Sequence, residues 1–522
     1  MTQFDQNDDS VVVVIGSGAG GATVAHELCE KGIKVVVLEA GPRFTIDDFH
    51  NNELAAYQQL TWADKRYATG DWPAATLAPE GPNWIVKAVG GSTLHWNGLS
   101  FRAQPHEFKA RTTYGEVEGA SLADWPVTYD ELDPYYSRAE DKMGVTGTHG
   151  IKRHPANNNY KVLYNGAQRI GYTQISNARQ AINSEFRDGR GACIQLGFCN
   201  QGCKMGAKWS TLYSEIPKAE ETGNLELRSG CMVLRIEHDK AGNANGVIYV
   251  DGDGVEQRQS ARVVCVAGNA IETPRLLLNS NSSLFPDGMA NSSGEVGRNY
   301  VRHVGAIVFG EFDKPVNMHR GITVPGTVFD EARFDPSRGF AGGYLIEAVS
   351  LGLTNLAVVG DAAGWGRNYT GFLEKYDHLA GVLLNGEDMP RSQNGVSLHD
   401  TERDQYGLPV PIIHVEEHDN DHAMSAHFKG QAEALLGAAG STKQHHVVTA
   451  AATHNMGTCR MSADEDKGVV NSFGQTHEVK NLFVSDGSQF TTATAENPTL
   501  TIVALAIRQA DHIAAQMSAK AL

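Results

Sequence analysis

Two short segments near the end of the chain carry the residue types that could do chemistry: His454-Asn-Met-Gly457-Thr458 and Glu496-Asn497-Pro498-Thr499. An imidazole, with an unperturbed pKa close to 6.5, suits removal of a hydroxyl proton near neutral pH. A carboxamide can donate to the same oxygen without competing for that proton. Together they suit an alcohol that gives its proton to a base and its hydride to an acceptor. The bland readings are a structural histidine, one of 20 in the chain, and a helix cap at Asn497 ahead of Pro498 at the first helical position.

A hydride needs an acceptor, and the start of the chain offers a place to hold one. The segment Val11-Val-Val-Val-Ile-Gly16-Ser-Gly18-Ala-Gly-Gly21 reads as an apolar strand running into a glycine turn. Gly16 makes the turn, Gly18 lets the backbone approach a pyrophosphate, and Gly21 lets the following helix pack on the sheet. That helix is expected over Ala22–Lys31, with its N–H groups aimed at the phosphates. Ile33–Leu38 reads as the next buried parallel strand. Glu39 closes it at the position where an acid accepts from the ribose hydroxyls, roughly 20 residues on. A ribose-binding acid disfavours NADP, and the fingerprint leaves NAD and FAD open.

The chain has 522 residues, enough for two domains. It alternates strand-like and helix-like segments, the pattern of an α/β protein. Leu225–Val266 is rich in strands, at 225–228, 233–236, 246–250 and 262–266, and leads into a helix that carries Pro274 at an early position. The stretch Asp313–Val448 reads as a separate layer inserted between pieces of the nucleotide domain. The final helix is expected over Thr499–Gln516. A balance of 44 basic against 61 acidic residues gives −17, which argues against nucleic acid and anionic membranes as partners. No apolar run is long enough for a membrane span. The acidic, polar first ten residues do not read as a secretory signal, and seven sparse cysteines suit a reducing compartment. A cytoplasmic location is expected on these grounds.

Six motifs, in order, resemble the glucose–methanol–choline (GMC) oxidoreductases over nearly the full length. They are the Gly16 fingerprint with Glu39; Lys87-Ala-Val-Gly90-Gly91-Ser-Thr-Leu-His95-Trp96-Asn97-Gly98; Ala267-Gly-Asn-Ala-Ile-Glu-Thr-Pro-Arg-Leu-Leu; Val296-Gly-Arg-Asn299; Asn481-Leu-Phe-Val-Ser-Asp486-Gly487; and Asn497-Pro-Thr-Leu-Thr-Ile. The segment Asp124-Trp-Pro-Val-Thr-Tyr is similar to that of bacterial sugar and polyol dehydrogenases, with pyranose and glycoside oxidases as near relatives.

The resemblance implies FAD, in a Rossmann-type domain interleaved with a substrate domain built on a six-stranded antiparallel sheet. The FAD domain is expected over 1–100, 205–312 and 449–522, and the substrate domain over 101–204 and 313–448. It implies His454 as the base and Asn497 as its partner, oxidising a secondary alcohol of a sugar, glycoside or polyol. It also implies FAD contacts from Gly90, Gly91, His95, Asn97, Gly98, Val233, Asp486, Gly487, Pro498 and Thr499. Some family members link flavin to a histidine placed like His95; the plainer expectation is packing beside a non-covalent flavin. Family electron acceptors include oxygen, quinones and cytochromes, and some members are exported to the periplasm with a small signal-bearing partner subunit.

Cys193, Cys199 and Cys203 have the spacing C-x5-C-x3-C, which resembles that of dehydrogenases carrying a [3Fe–4S] cluster. A further family cysteine is missing and Lys204 replaces a proline, so the favoured reading is thiols without a cluster and no metal. A flavin lyase and a non-catalytic nucleotide-fold binding protein are the competing functions. The presence of both His454 and Asn497 argues against the latter.

Overall fold

The computed structural model describes residues 4–76, 80–359, 365–448 and 453–522. Its centre is a five-stranded parallel sheet in the order Leu482–Val484, Val263–Val266, Val12–Ile15, Val35–Glu39, Leu225–Ser229. The valine runs at 12–14, 35–37 and 263–264 are all but inaccessible to solvent, as strands covered on both faces must be. The helix Ala19–Glu30 packs against the final helix Thr499–Ser518. The N-terminal helix begins at Ala19, not at the expected Ala22, so Gly20 and Gly21 are helical. Packing explains this. A Cβ on Gly20 would lie 1.5 Å from the Ser485 carbonyl oxygen, and one on Gly21 would lie 2.2 Å from that of Gly16.

The four strands expected between Leu225 and Val266 are present. A fifth, Glu256–Ser260, completes a three-stranded antiparallel meander with Ala244–Val250 and Met232–His238. Its sequence, Glu-Gln-Arg-Gln-Ser, has no apolar alternation to reveal it.

The second layer is a six-stranded antiparallel sheet in the order Lys443–Val448, His303–Glu311, Leu379–Glu387, Tyr344–Val349, Gly326–Val328, Ile175–Asn177. The strand His303–Glu311 lies in this sheet although it falls within 205–312. The helix Tyr129–Met143, within 101–204, packs on the final helix, with Tyr136 Oη 2.8 Å from Thr501 Oγ1.

Alternation gives this sheet two unlike faces. One face joins Val308, Val328, Ile346, Ala348, Val382 and Leu384 in an apolar cluster with residues of the helices Asn158–Arg169 and Asp419–Ala439. The other carries His303, Thr327, Glu347, Asn385 and Glu387, paired across strands as His303 with Glu387 and Thr327 with Glu347. The segment 494–497 lies on this polar face. Asn385 Nδ2 donates to the Ala495 carbonyl at 2.8 Å, and His303 Nε2 to that of Thr494 at 2.6 Å.

The helix Asn269–Asn279 carries Pro274 in its interior, not at its start. Proline cannot donate to the carbonyl four residues back. The hydroxyl of Thr458, which ends the His454 motif, donates to that Ala270 carbonyl at 2.9 Å. Thr458→Val should therefore leave a buried carbonyl unpaired and cost about 1–3 kcal/mol. Urea unfolding checks this; an unchanged midpoint would show that the bond contributes nothing.

Candidate active site

A short hydrogen-bonded chain fixes which nitrogen of His454 is free. The Thr494 carbonyl can only accept, so His303 Nε2 must carry its hydrogen. Burial pushes His303 down to about 4, so the ring is neutral at pH 7 and its Nδ1 is a lone pair. That lone pair lies 2.7 Å from His454 Nδ1. His454 is also held neutral, well below its ordinary pKa, by burial and by the neighbouring His303. The hydrogen between the two rings therefore belongs to His454 Nδ1, and His454 Nε2 is left as a bare lone pair. A neutral imidazole with a fixed tautomer and a free Nε2 can accept a proton, and the Nδ1 bond to His303 persists when it does.

Asn497 is buried, 7 % exposed, and its Oδ1 has no partner. The expected helix cap is not made: the final helix starts at Thr499, Pro498 is its N-cap residue, and no side chain caps it. The amide is turned instead to Glu347, which burial pushes up to about 8 while Asn497 acts against the rise. His303 and Glu347 were not singled out from the sequence. His303 follows the Val296-Gly-Arg-Asn299 motif by four residues, the one local signal that could have drawn attention to it. Glu496, next to Asn497 in the chain, accepts from Gln104 Nε2 at 3.0 Å. It lies with Glu107 and Glu387 in a buried acidic group, where burial and mutual repulsion raise its pKa.

The glycine fingerprint forms a cradle. Gly16 has φ +98°, and a Cβ there would lie 2.4 Å from the Ala267 carbonyl oxygen. At Gly18 a Cβ would meet nothing nearer than Gly91 Cα, at 4.0 Å, so space lies open beside the backbone just where the helix begins. That helix has no acid in its first turn to compete with a phosphate. Gly91 closes the cradle from the other side: a Cβ there would come within 2.9 Å of Gly18 Cα. Gly90 N donates to Ser17 Oγ at 3.0 Å, and Ser17 Oγ donates to Glu39 at 2.7 Å. Glu39 is buried and also accepts from the N–H groups of Ser17 and Gly41. These residues fit the dinucleotide they were expected to hold.

Val233 is the second residue of the strand Met232–His238, which enters the meander beside Glu39, whose carbonyl accepts from Cys231 N at 2.8 Å. Asp486 is buried and accepts from Asn269 N, Thr273 Oγ1 and Ser488 N. Gly487 accepts from Gly457 N at 3.1 Å, tying that turn to the His454 motif. Pro498 and Thr499 stand at the head of the final helix.

His95 is fully buried, and both ring nitrogens are occupied. Nδ1 lies 3.0 Å from the Asn200 carbonyl and Nε2 lies 2.7 Å from Gln59 Oε1. Burial, with Lys208 nearby, pushes it down to about 4. Asn97 Oδ1 accepts from Thr323 Oγ1 at 2.6 Å, and Gly98 takes φ +76°. The three cysteines are brought together as free thiols in one small cluster with Ile182, Ala207 and Ile322. Burial pushes Cys193 up to about 11. Lys208 is buried beside them, donates to the carbonyls of Leu94, Trp96 and Cys199, and is drawn down to about 8 by burial. Among the described residues, the one set of three ligating side chains within reach of a single ion is His106, Glu107 and Glu387.

Comparison with known proteins follows the same lines. The GMC oxidoreductase family matches residues 12–305 and 390–506, and the chain belongs to that family. It is 33% identical to the 2-methyl-1,2-propanediol dehydrogenase of Mycolicibacterium austroafricanum, over 99% of this chain and 97% of that one. It is 29% identical to the fructose dehydrogenase large subunit of Gluconobacter japonicus, over 96% and 97%. With the 6'''-hydroxyparomomycin C oxidase of Streptomyces lividus it shares 31%, over 97% and 92%. Among solved structures, pyridoxine 4-oxidase from "Mesorbium loti" superposes with a TM-score of 0.66 at 17% identity, covering 97% of this chain and 99% of that one. A formate oxidase of Aspergillus oryzae superposes with 0.69 at 16%, covering 99% and 100%. The fold is that of GMC flavoenzymes, the protein is an oxidoreductase, and family membership implies FAD. Among the described residues no helix is long and apolar enough to cross a membrane.

Proposed function

We propose that the protein oxidises a secondary alcohol of a polyol, sugar or glycoside to the ketone, with His454 as general base and Asn497 holding the reacting oxygen. The observation that carries this is the Thr494–His303–His454 chain, which leaves Nε2 of a neutral imidazole free. The substrate hydroxyl gives its proton to that nitrogen. One Nδ2 hydrogen of Asn497 faces Glu347 and the other remains to donate to the developing alkoxide. Bound FAD supplies the hydride acceptor. The relatives act, by their names, on 2-methyl-1,2-propanediol, fructose and 6'''-hydroxyparomomycin C, and so support an alcohol as substrate. Non-covalent binding is favoured because both nitrogens of His95 already have protein partners. Anaerobic titration of the purified holoenzyme with a panel of sugars and polyols should bleach the flavin absorbance and yield the keto product. A flavin that no alcohol bleaches would refute the reading, and a cleaved carbon–carbon bond would indicate a lyase.

A second reading rests on the thiol cluster: electrons could pass through a [3Fe–4S] cluster at Cys193, Cys199 and Cys203 to a cytochrome. Direct transfer to oxygen or a soluble acceptor is favoured, because the family's further cysteine is absent. Iron and acid-labile sulfide analysis of anaerobically purified protein distinguishes them. Little iron is expected; about three irons per chain, lost together in Cys199→Ser, would overturn that expectation.

A further inference from the structure

Among the described residues, three buried polar atoms around Glu347 on the polar side of the six-stranded sheet have no hydrogen-bond partner: Thr327 Oγ1, Glu347 Oε1 and Asn497 Oδ1; a fourth on this side, Glu496 Oε2, lies in the acidic group with Glu107 and Glu387. All three residues are buried. Thr327 and Glu347 are directly opposed in register, so their side chains leave the same face about 4.5–5.5 Å apart at Cβ. Asn497, turned to the Glu347 carboxyl, joins them to the position of the reacting oxygen. Folded proteins pair nearly all their buried polar atoms. Three neighbouring exceptions at one place point to a polar group that arrives with a ligand.

We infer that Thr327 and Glu347 form a subsite for a second hydroxyl, on the carbon next to the one oxidised, so that the enzyme selects vicinal diols. This rests on the function proposed above. Position sets the neighbouring carbon. Asn497 holds the reacting oxygen with one amide hydrogen and faces Glu347 with the other, so the two sites are one carboxamide apart. The donor inventory sets the hydroxyl. An O–H can give one hydrogen bond and take another, so it can satisfy Glu347 Oε1 and the Thr327 hydroxyl together, whichever of the two donates. An ammonium can only donate, and would leave that donor's hydrogen without an acceptor. Burial also keeps Glu347 largely protonated at neutral pH, which suits a neutral partner. A site built around a hydroxyl rejects the analogue that lacks it, because its own polar groups are then left unpaired.

The test is flavin reduction by the holoenzyme with matched pairs: butane-2,3-diol against butan-2-ol, cyclohexane-1,2-diol against cyclohexanol, and methyl glucoside against its 2-deoxy analogue. The wild type should favour the diol of its best pair by at least about tenfold in kcat/KM. In Thr327→Val and Glu347→Leu that ratio should fall towards one, and Glu347→Gln, which keeps an acceptor, should retain part of it. Flavin content and far-UV dichroism report whether each variant is folded. A wild type that does not discriminate would overturn the inference, as would variants that slow both partners of a pair equally; the latter would make Glu347 a positioning residue for Asn497. Preference for 3-aminobutan-2-ol over butane-2,3-diol would assign the subsite to an ammonium and also overturn it. If no alcohol reduces the wild-type flavin, the proposed function itself fails, an outcome distinct from oxidation without discrimination.

Discussion

His454→Ala should slow flavin reduction by about 10²-fold or more, the usual scale for losing a general base, while FAD stays bound. The cofactor cradle is built from residues 16–21, 39 and 90–91, far from His454 in sequence, so flavin content separates a lost base from a lost fold. Stopped-flow reduction under anaerobic conditions measures the effect, and near-normal reduction would remove His454 from the mechanism. The pH profile adds an independent check. Burial and His303 hold His454 well below its ordinary pKa, so its neutral, proton-accepting form persists into acid. The rate should be flat from about pH 6.5 upward and should fall only below that value; a midpoint above it would contradict the assignment. His303→Leu removes the acceptor that fixes the tautomer without touching Nε2. It should cost less than His454→Ala and act mainly on kcat, with KM little changed.

The sequence made the cradle legible because its logic is local. Strand, glycines, helix and Glu39 fall within thirty or so residues, so the pattern can be read from one short stretch even though Gly16 and Gly20 pack against the distant Ala267 and Ser485 carbonyls. The His454 and Asn497 motifs were legible for the same reason. His303, Thr327 and Glu347 were not, because they meet only through the register of antiparallel strands. The strand Tyr344-Leu-Ile-Glu-Ala-Val is buried along its whole length, so it reads as an apolar run interrupted by one glutamate. Its two-residue period is hidden because both faces are covered, and nothing local says which face meets the active site. The misplaced helix start has a different origin. Glycine disfavours helix, so Gly20 and Gly21 read as turn, yet the Ser485 and Gly16 carbonyls demand residues without a Cβ at those helical positions. Tertiary contact overrode propensity there. Pro274 is similar: an interior proline is tolerated because Thr458, distant in sequence, takes up the carbonyl it strands.

Gly18→Val should give a folded, colourless protein. The outcome depends on a contrast between two glycines of the same turn. Gly16 has φ +98° and would press a Cβ into the Ala267 carbonyl at 2.4 Å, so a side chain there attacks the fold itself. Gly18 has φ −70°, which any residue adopts, and a Cβ there has no protein atom nearer than 4.0 Å. The chain tolerates a side chain at Gly18, and only a pyrophosphate lying against that backbone does not. Filling the space should weaken FAD retention by at least about tenfold, the scale of overpacking a close contact. The melting temperature separates the two modes of failure, since a ligand that binds only the folded state raises it. Gly18→Val should melt where flavin-stripped wild type melts, and added FAD should raise its Tm less than it raises that of the stripped wild type. Gly16→Ala should melt below both or fail to fold. A yellow, fully loaded and active Gly18→Val enzyme would mean that the pyrophosphate does not pass over Gly18, and the assignment of the Gly16–Gly21 turn as its cradle would fall with it.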